Sequence, residues 1–401
     1  MRIAIFHNRY RERGGEDTAV DGEAELLEKG GHTVVRCIAD NRESLASPLD
    51  QVRTALHARH SPSGAARAAR IADEAPLDVA HVHNFFPVLS PAVHETLSAR
   101  GVPVVQTLHN YRFACANGNL LRAGSVCEEC IPRGPWHAVR YGCYRGSRVQ
   151  TLVWADMVAH HRARETWRRC VDRFVAPTGF AARLLAKAGL PRERIEVLPL
   201  VLADPGDPAP PGRGAVYVGR LAPEKGVDLL IDAWRHVGRG WPLAIVGSGP
   251  AEVALREQAR EVPGVRFLGA RPHDEVLRVL RGAAFAVVPS RWYEVSPFAA
   301  IEALACARPV VTWRGGSVAE LVGDGRAGLL FDSLDAASIA RACAQLLESP
   351  DRVRELGAQA REDYLDRHAP DIGLARRERL YAAVSDERRR GGSPGADRPR
   401  A

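Results

Sequence analysis

Lysine is nearly absent from this chain. Of 55 basic residues only Lys29, Lys187 and Lys225 are lysine, and the rest are arginine. Aromatic residues are scarce too, at 6%, and the net charge of +7 is spread along the chain. No basic stripe with interleaved aromatics forms, so no nucleic-acid partner is expected. Long apolar runs are also missing. None approaches the ~18 residues that span a bilayer, and the longest, such as residues 283–289, are strand-sized. The first apolar run, Ile3-Ala4-Ile5-Phe6, follows no charged leader, so no signal peptide is expected and the protein is expected to be cytoplasmic. The 401 residues, 46% hydrophobic and 26% charged, exclude wholesale disorder, and at roughly 150 residues per domain they make two or three domains. Two arginine-rich runs, 162–169 and 388–390, are where a phosphate-rich surface would dock, a membrane periphery included. The plainer reading is a solvated helix face and a loose tail.

Short β-branched runs alternate with longer amphipathic stretches, and they do so twice. Strands are expected at 2–6, 33–38, 79–83, 102–107, 173–176 and 195–198. They are expected again at 215–218, 243–246, 265–268, 284–288, 309–312 and 328–331. Helix patterns lie between them, such as 18–29, ended by Gly30-Gly31 where a left-handed cap is needed. This alternation predicts parallel sheets covered on both faces, hence an α/β protein of two Rossmann-like, doubly wound domains. The expected domains are 1–203, with a cysteine-rich insertion at 113–145, and 214–370. Residues 204–213, with four prolines and two glycines, form the linker. Residues 371–385 should be a helix returning to the first domain, and 386–401 a disordered tail. Two such domains facing each other would put the carboxyl ends of both sheets on one cleft, where open α/β sheets bind ligands.

The most informative stretch is Pro289-Ser-Arg-Trp-Tyr-Glu-Val-Ser-Pro-Phe-Ala-Ala-Ile-Glu302. Ser296 is a good N-cap and Pro297 a good first helical residue. The free amides from Phe298 and Ala299 onward would hold an anion such as a diphosphate. Glu294 precedes the cap and Glu302 lies six residues past it, about 9 Å along the helix, so two carboxylates can take hydroxyl pairs on either side of the phosphates. In Gly219-Arg-Leu-Ala-Pro-Glu-Lys-Gly226, Arg220 and Lys225 at a strand's end suit the charges of a departing nucleotide diphosphate. Gly219, Gly249 and Arg271 mark further strand ends, where glycine would let a nucleobase lie against the backbone.

The Glu294-x7-Glu302 spacing, the Gly-Arg-Leu-x-x-Glu-Lys-Gly block and Gly315-Gly-Ser-Val-Ala-Glu-Leu-Val322 together resemble the family 4 retaining glycosyltransferases of the GT-B fold. The resemblance runs from Met1 to about Tyr381. It implies a nucleotide-diphosphate sugar donor (UDP-, GDP- or dTDP-linked) on the second domain, an acceptor on the first, and no catalytic metal. By that resemblance Glu294 holds donor-sugar hydroxyls, Glu302 the ribose, and Arg220 with Lys225 the diphosphate. The usual Glu-Gly-Phe-Gly start is replaced here by Glu-Val-Ser-Pro-Phe, in which Pro297 removes one N–H.

In the first domain, Gly14 and Gly15 permit close approach of a ligand to a helix N-terminus, with Asp17 as its cap. His109 ends a strand and matches the family's histidine near the reacting centre. Four of the eight cysteines cluster as Cys115-x11-Cys127-x2-Cys130-x12-Cys143. This spacing has the look of a structural zinc site, with His137 as a substitute ligand; free thiols or a redox pair are the alternatives. Two rival functions share these features. A nucleotide-sugar 2-epimerase of the same fold would convert donor without acceptor. A non-catalytic, zinc-stapled scaffold would bind anionic polymers in a salt-sensitive way.

Overall fold

The computed structural model describes residues 1–10, 14–44, 47–238 and 240–391. These form two compact units. One comprises Met1–Leu120, Cys127–Val201 and the chain from Gly373 onward; the other comprises Leu121–Val126 and Leu202–Ile372.

The first unit is built on β1 (Arg2–Arg9), β2 (Thr33–Asp40), β3 (Val79–Asn84), β4 (Val104–Thr107), β5 (Arg173–Ala176) and β6 (Ile195–Val197). All pairings are parallel, in the order β2-β1-β3-β4-β5-β6. Every residue of β3 and β4 is buried, as a parallel sheet covered on both faces requires. Helix α1 (Gly15–Lys29) follows β1 and stops where Gly31 turns to φ +82°. The second unit carries β7 (Ala215–Val218), β8 (Leu243–Val246), β9 (Val265–Gly269), β10 (Phe285–Val288), β11 (Val310–Trp313) and β12 (Gly328–Phe331). Its order is β9-β8-β7-β10-β11-β12, again all parallel. A core of Trp234, Phe285, Phe331 and the aliphatics around them fills one side.

Each sheet has a switch point where the winding reverses, between β1 and β3 in the first and between β7 and β10 in the second. Loops leaving the carboxyl ends of those strands part there and leave a crevice. Gly14 and Gly15 follow β1, Arg220 and Lys225 follow β7, and Glu294 follows β10.

Three elements differ from the sequence reading. Helix α2 (Phe298–Ala305) begins after Pro297, which is extended at ψ 125°, and Ser296 makes no side-chain cap. Proline, with φ already fixed, takes the flanking position instead. The last helix, α3 (Pro370–Arg389), runs through 386–389, which were expected to lie in the tail; residues 392–401 lie outside the described residues. Its arginines explain the extension: Arg388 Nε lies 3.0 Å from Asp172 and Arg389 Nη2 2.9 Å from Asp78. The hairpin of Leu121–Arg122 with Ser125–Val126 was not anticipated. Residues 204–213 carry no helix or strand, yet the second unit pins them. Arg308, 1% exposed, donates to the carbonyls of Ala209 and Pro210, and Arg361 pairs with Asp204.

Candidate functional site

At the switch point of the second sheet, β7 ends in Gly219 at φ +154°, and the chain continues through Arg220 to a short turn at Pro223–Lys225. Gly226 follows at φ +68°; a Cβ there would lie 2.1 Å from the Pro289 carbonyl beyond β10. Only glycine allows that approach. Arg291 reinforces it, donating its backbone N–H to the Glu224 carbonyl and pairing with Asp228. The Lys225 turn is thereby fixed against the segment that leads into α2.

The result is a partly buried ion pair. Lys225 Nζ lies 2.5 Å from Glu294 Oε1, which also accepts a hydrogen bond from Ser290 Oγ at 2.6 Å. Glu294 is only 6% exposed. Lys225 Nζ also stands 5.4 Å over the Trp292 ring, and Trp292 Nε1 is buried without a hydrogen-bond partner. Ser317 Oγ donates to the Glu294 carbonyl, fixing the backbone from the loop after β11. The carboxylate of Glu294, with that of Glu224, adds to burial in pushing the Tyr217 phenol up. Phe298 and Ala299 occupy the first turn of α2, ahead of the first helical hydrogen bond from Ala300 N to Pro297 O. Their amides carry the positive end of the helix dipole.

The remaining residues of this set are placed otherwise. Arg220 is exposed and pairs with Glu224. Glu302, buried on α2, takes His273 Nδ1 at 3.3 Å, and that contact raises the His273 pKa. Arg271 is exposed and bonds the Leu268 carbonyl and Glu275. Two of the glycines are required by close backbone packing. A Cβ at Gly249 would lie 2.4 Å from the Leu221 carbonyl, and one at Gly219 2.8 Å from the Tyr217 hydroxyl. His273, Ser290 and Trp292 were missed by sequence reasoning, although two of them lie within three residues of Pro289, inside the segment already singled out.

In the first unit, Gly14 rather than Asp17 caps α1. Asp17 sits one turn in and accepts from Gly14 N at 2.9 Å and His7 Nε2 at 2.8 Å. Burial opposes ionisation of Asp17, but these hydrogen bonds prevail and its carboxyl is held below the ordinary value. A Cβ at Gly14 would meet nothing within 4 Å, so this loop leaves open space beside α1. Nearby, Glu16 accepts from Tyr10 and Asn110, and burial raises its pKa.

His109 follows β4 and borders a small recess with His83, Asn84, Gln106 and Asn110. Its Nε2 lies 2.8 Å from His83 Nδ1 and the two rings stack. Burial, then the charge of His7, pushes the His109 pKa down to about 3. Behind it, Glu23 on α1 is held by His81 Nδ1 at 2.8 Å, Arg377 Nε at 2.9 Å and the Tyr381 hydroxyl at 3.0 Å. Burial works against the Glu23 charge, but Arg377 and His81 outweigh it and keep the carboxyl well below its ordinary value. Among the described residues, Glu23, His81 and His83 are the one set of metal-ligand side chains whose donor atoms all lie within 4.8 Å. The Arg377 guanidinium already neutralises that carboxylate.

None of the cysteines is in a disulfide; Cys115 and Cys130 are buried, Cys127 and Cys143 partly so. His137 bonds Glu129. The arginine run at 162–169 is partly spent inside, since Arg162 donates to the carbonyls of Phe113 and Ala188. No helix among the described residues is long and apolar enough to cross a membrane.

Comparison with known proteins bears on the family and the fold. The "Glycosyltransferase Family 4" model matches residues 13–201 and the "Glycosyl transferases group 1" model residues 212–349. The chain is 29% identical to the 2-deoxystreptamine N-acetyl-D-glucosaminyltransferase of Streptomyces fradiae, over 81% of this chain and 77% of that one. It is 30% identical to the D-inositol 3-phosphate glycosyltransferase of Acidothermus cellulolyticus, over 75% and 66%. The match spans only 42% and 37% of the length of the first curated relatives. Anabaena Alr3699/HepE, solved in complex with UDP-glucose, superposes with a TM-score of 0.67 at 15% identity, covering 96% of this chain and 100% of that one. With one such family model on each sheet-bearing half, the chain belongs to the family 4 glycosyltransferases and has their GT-B fold.

Proposed function

We propose that this chain is a retaining glycosyltransferase that moves a sugar from a nucleotide-diphosphate donor to an acceptor hydroxyl. The observation that carries the reading is the Lys225–Glu294 pair, set at the switch point of the second sheet beside the first turn of α2. The Glu294 carboxylate is buried and Lys225, one-fifth exposed, is its cationic partner, so an anion entering from the open side can reach that ammonium. A diphosphate is such an anion: it competes for Lys225 and releases Glu294 Oε1 to accept from sugar hydroxyls. Arg220 adds a second cation, and the Phe298 and Ala299 amides face the charge that builds on the leaving phosphate. Pro297 contributes no N–H, so the helix offers one donor fewer than an unsubstituted turn. Glu302, held by His273, is the ribose acceptor.

The acceptor side is assigned to the first unit. Gly14, with Gly15 after it, begins α1 without a side chain in the way at Gly14, and His109, kept neutral, presents an imidazole that can donate or accept without repelling a cationic transition state. Relatives that act on deoxystreptamine and inositol phosphate support a polyhydroxylated ring acceptor, free or part of a secondary metabolite; a glycan on a lipid carrier fits the same chemistry. The donor is taken as UDP-, GDP- or dTDP-linked, and UDP is supported by the Anabaena neighbour. A panel of nucleotide sugars tested by thermal shift, then by product stereochemistry with cyclitol acceptors, tests the reading. Stabilisation by one donor and an axial product are expected. Conversion of donor to its epimer without acceptor would overturn it.

A further inference from the structure

We propose that His83 is a positioning residue: it holds His109 in one tautomer, protonated on Nε2, so that His109 Nδ1 is left to accept a hydrogen bond from a substrate hydroxyl. The hydroxyl rests on the proposed transferase function; the tautomer rests on packing alone.

Two residues apart on β3, His81 and His83 share one face of the sheet, and Glu23 of α1 packs against that face. Gln106 on the neighbouring strand donates its Nε2–H to the His83 carbonyl at 3.1 Å. This fixes the carboxyl end of β3 against β4, two residues before His109 leaves it.

The Glu23 carboxylate is ionised, since Arg377 Nε lies 2.9 Å from its Oε2. His83 Nε2 is buried without a hydrogen-bond partner, and it lies 3.9 Å from Glu23 Oε1. At that range an N–H is attracted to the carboxylate and a lone pair is repelled. Burial keeps His83 neutral, so it has one proton to place. That proton belongs on Nε2, which makes Nδ1 a lone pair. The 2.8 Å contact between His83 Nδ1 and His109 Nε2 must then be filled by a proton from His109. His109 is neutral too, so its Nδ1 carries none. The reverse arrangement would turn a lone pair of His83 toward the carboxylate.

His83 is enclosed, whereas His109 is only partly buried and borders the recess. Its Nε2 is spent inward, which leaves Nδ1 for a ligand. Such a nitrogen takes a hydroxyl and turns away an ether or carbonyl oxygen, which has no proton to give.

Long-range proton–nitrogen NMR of the full chain, labelled with ¹⁵N-histidine and free of substrate, tests this. Signals are assigned by their loss in His109→Asn and His83→Asn. Nitrogen shifts separate the two tautomers, and the Nε2–H pattern is expected for both residues. His83→Leu removes the acceptor, so the His109 pattern should move toward the other tautomer, and kcat should fall roughly tenfold with a smaller change in KM. His83→Asn, whose amide oxygen can replace Nδ1, should restore the His109 pattern and most of the turnover. An Nδ1–H pattern for His109 in the unsubstituted protein overturns the proposal whether or not the leucine variant folds. An unaltered pattern and turnover in a folded His83→Leu overturns it as well. Conversion of donor without acceptor would remove the transferase function but not the Nε2–H pattern.

Discussion

Lys225 Nζ and Glu294 Oε1 lie 2.5 Å apart, although 69 residues separate them in the chain. The contact joins the loop after β7 to the loop after β10, the two strands between which the second sheet reverses direction.

If that pair is the donor's anchor, its two members should fail differently. Lys225→Ala removes a charge-assisted contact worth about 1.5–3 kcal/mol, or roughly 10- to 150-fold in donor affinity. Glu294→Gln keeps shape but loses the charge and one of the two acceptor oxygens, and turnover should fall by about 10²–10³-fold with a smaller change in donor affinity. Steady-state kinetics of both variants check this, and near-normal rates in both would contradict it.

Gly226→Ala should harm the same site without touching any charge. The residue sits at φ +68° and its Cβ would lie 2.1 Å from the Pro289 carbonyl. Strain of this kind costs about 1–3 kcal/mol, so the denaturation midpoint should drop and donor binding weaken with it. An unchanged midpoint would mean that the two loops do not approach as described.

Much of this was legible in the sequence. All six strands of each sheet are foreshadowed by β-branched runs, because parallel strands buried on both faces leave that mark over four or five residues. Glu294 and Lys225 were singled out because strand ends in such sheets carry ligand contacts, and the two side chains meet in the structure. What the sequence hid was pairing at long range. Nothing local ties Glu302 to His273 or marks Ser290 as the second partner of Glu294. The packing at Gly249 was hidden for a related reason: a Cβ there would meet the carbonyl of Leu221, 28 residues away in the chain. Ser296 looked like a cap because the pattern fits, and Pro297 took the flanking position.

The Glu23 network is a stability device. Arg377→Met leaves a buried carboxylate facing two histidines and a phenol, and breaking such a pair costs about 3–5 kcal/mol. Equilibrium unfolding of that variant should show the loss, and Glu23→Gln in the same background should recover part of it. A variant as stable as the parent would refute the pairing.

Acid should weaken the fold through a buried histidine. The His94 pKa falls from 6.5 to about 4, chiefly through burial, so the unfolded chain binds more protons than the folded one between those values. Stability from this group is therefore complete above pH 6.5 and is lost as pH falls toward 4. His94→Gln should flatten the slope of unfolding free energy against pH in that window; an unchanged slope would remove His94 as a contributor.

The most direct test is calorimetric titration of UDP, GDP and dTDP into the full chain and into Lys225→Ala. The account predicts saturable, one-to-one binding of one of them, weakened at least tenfold by the substitution. Equal affinity in both proteins, or no binding of any of the three, would contradict it.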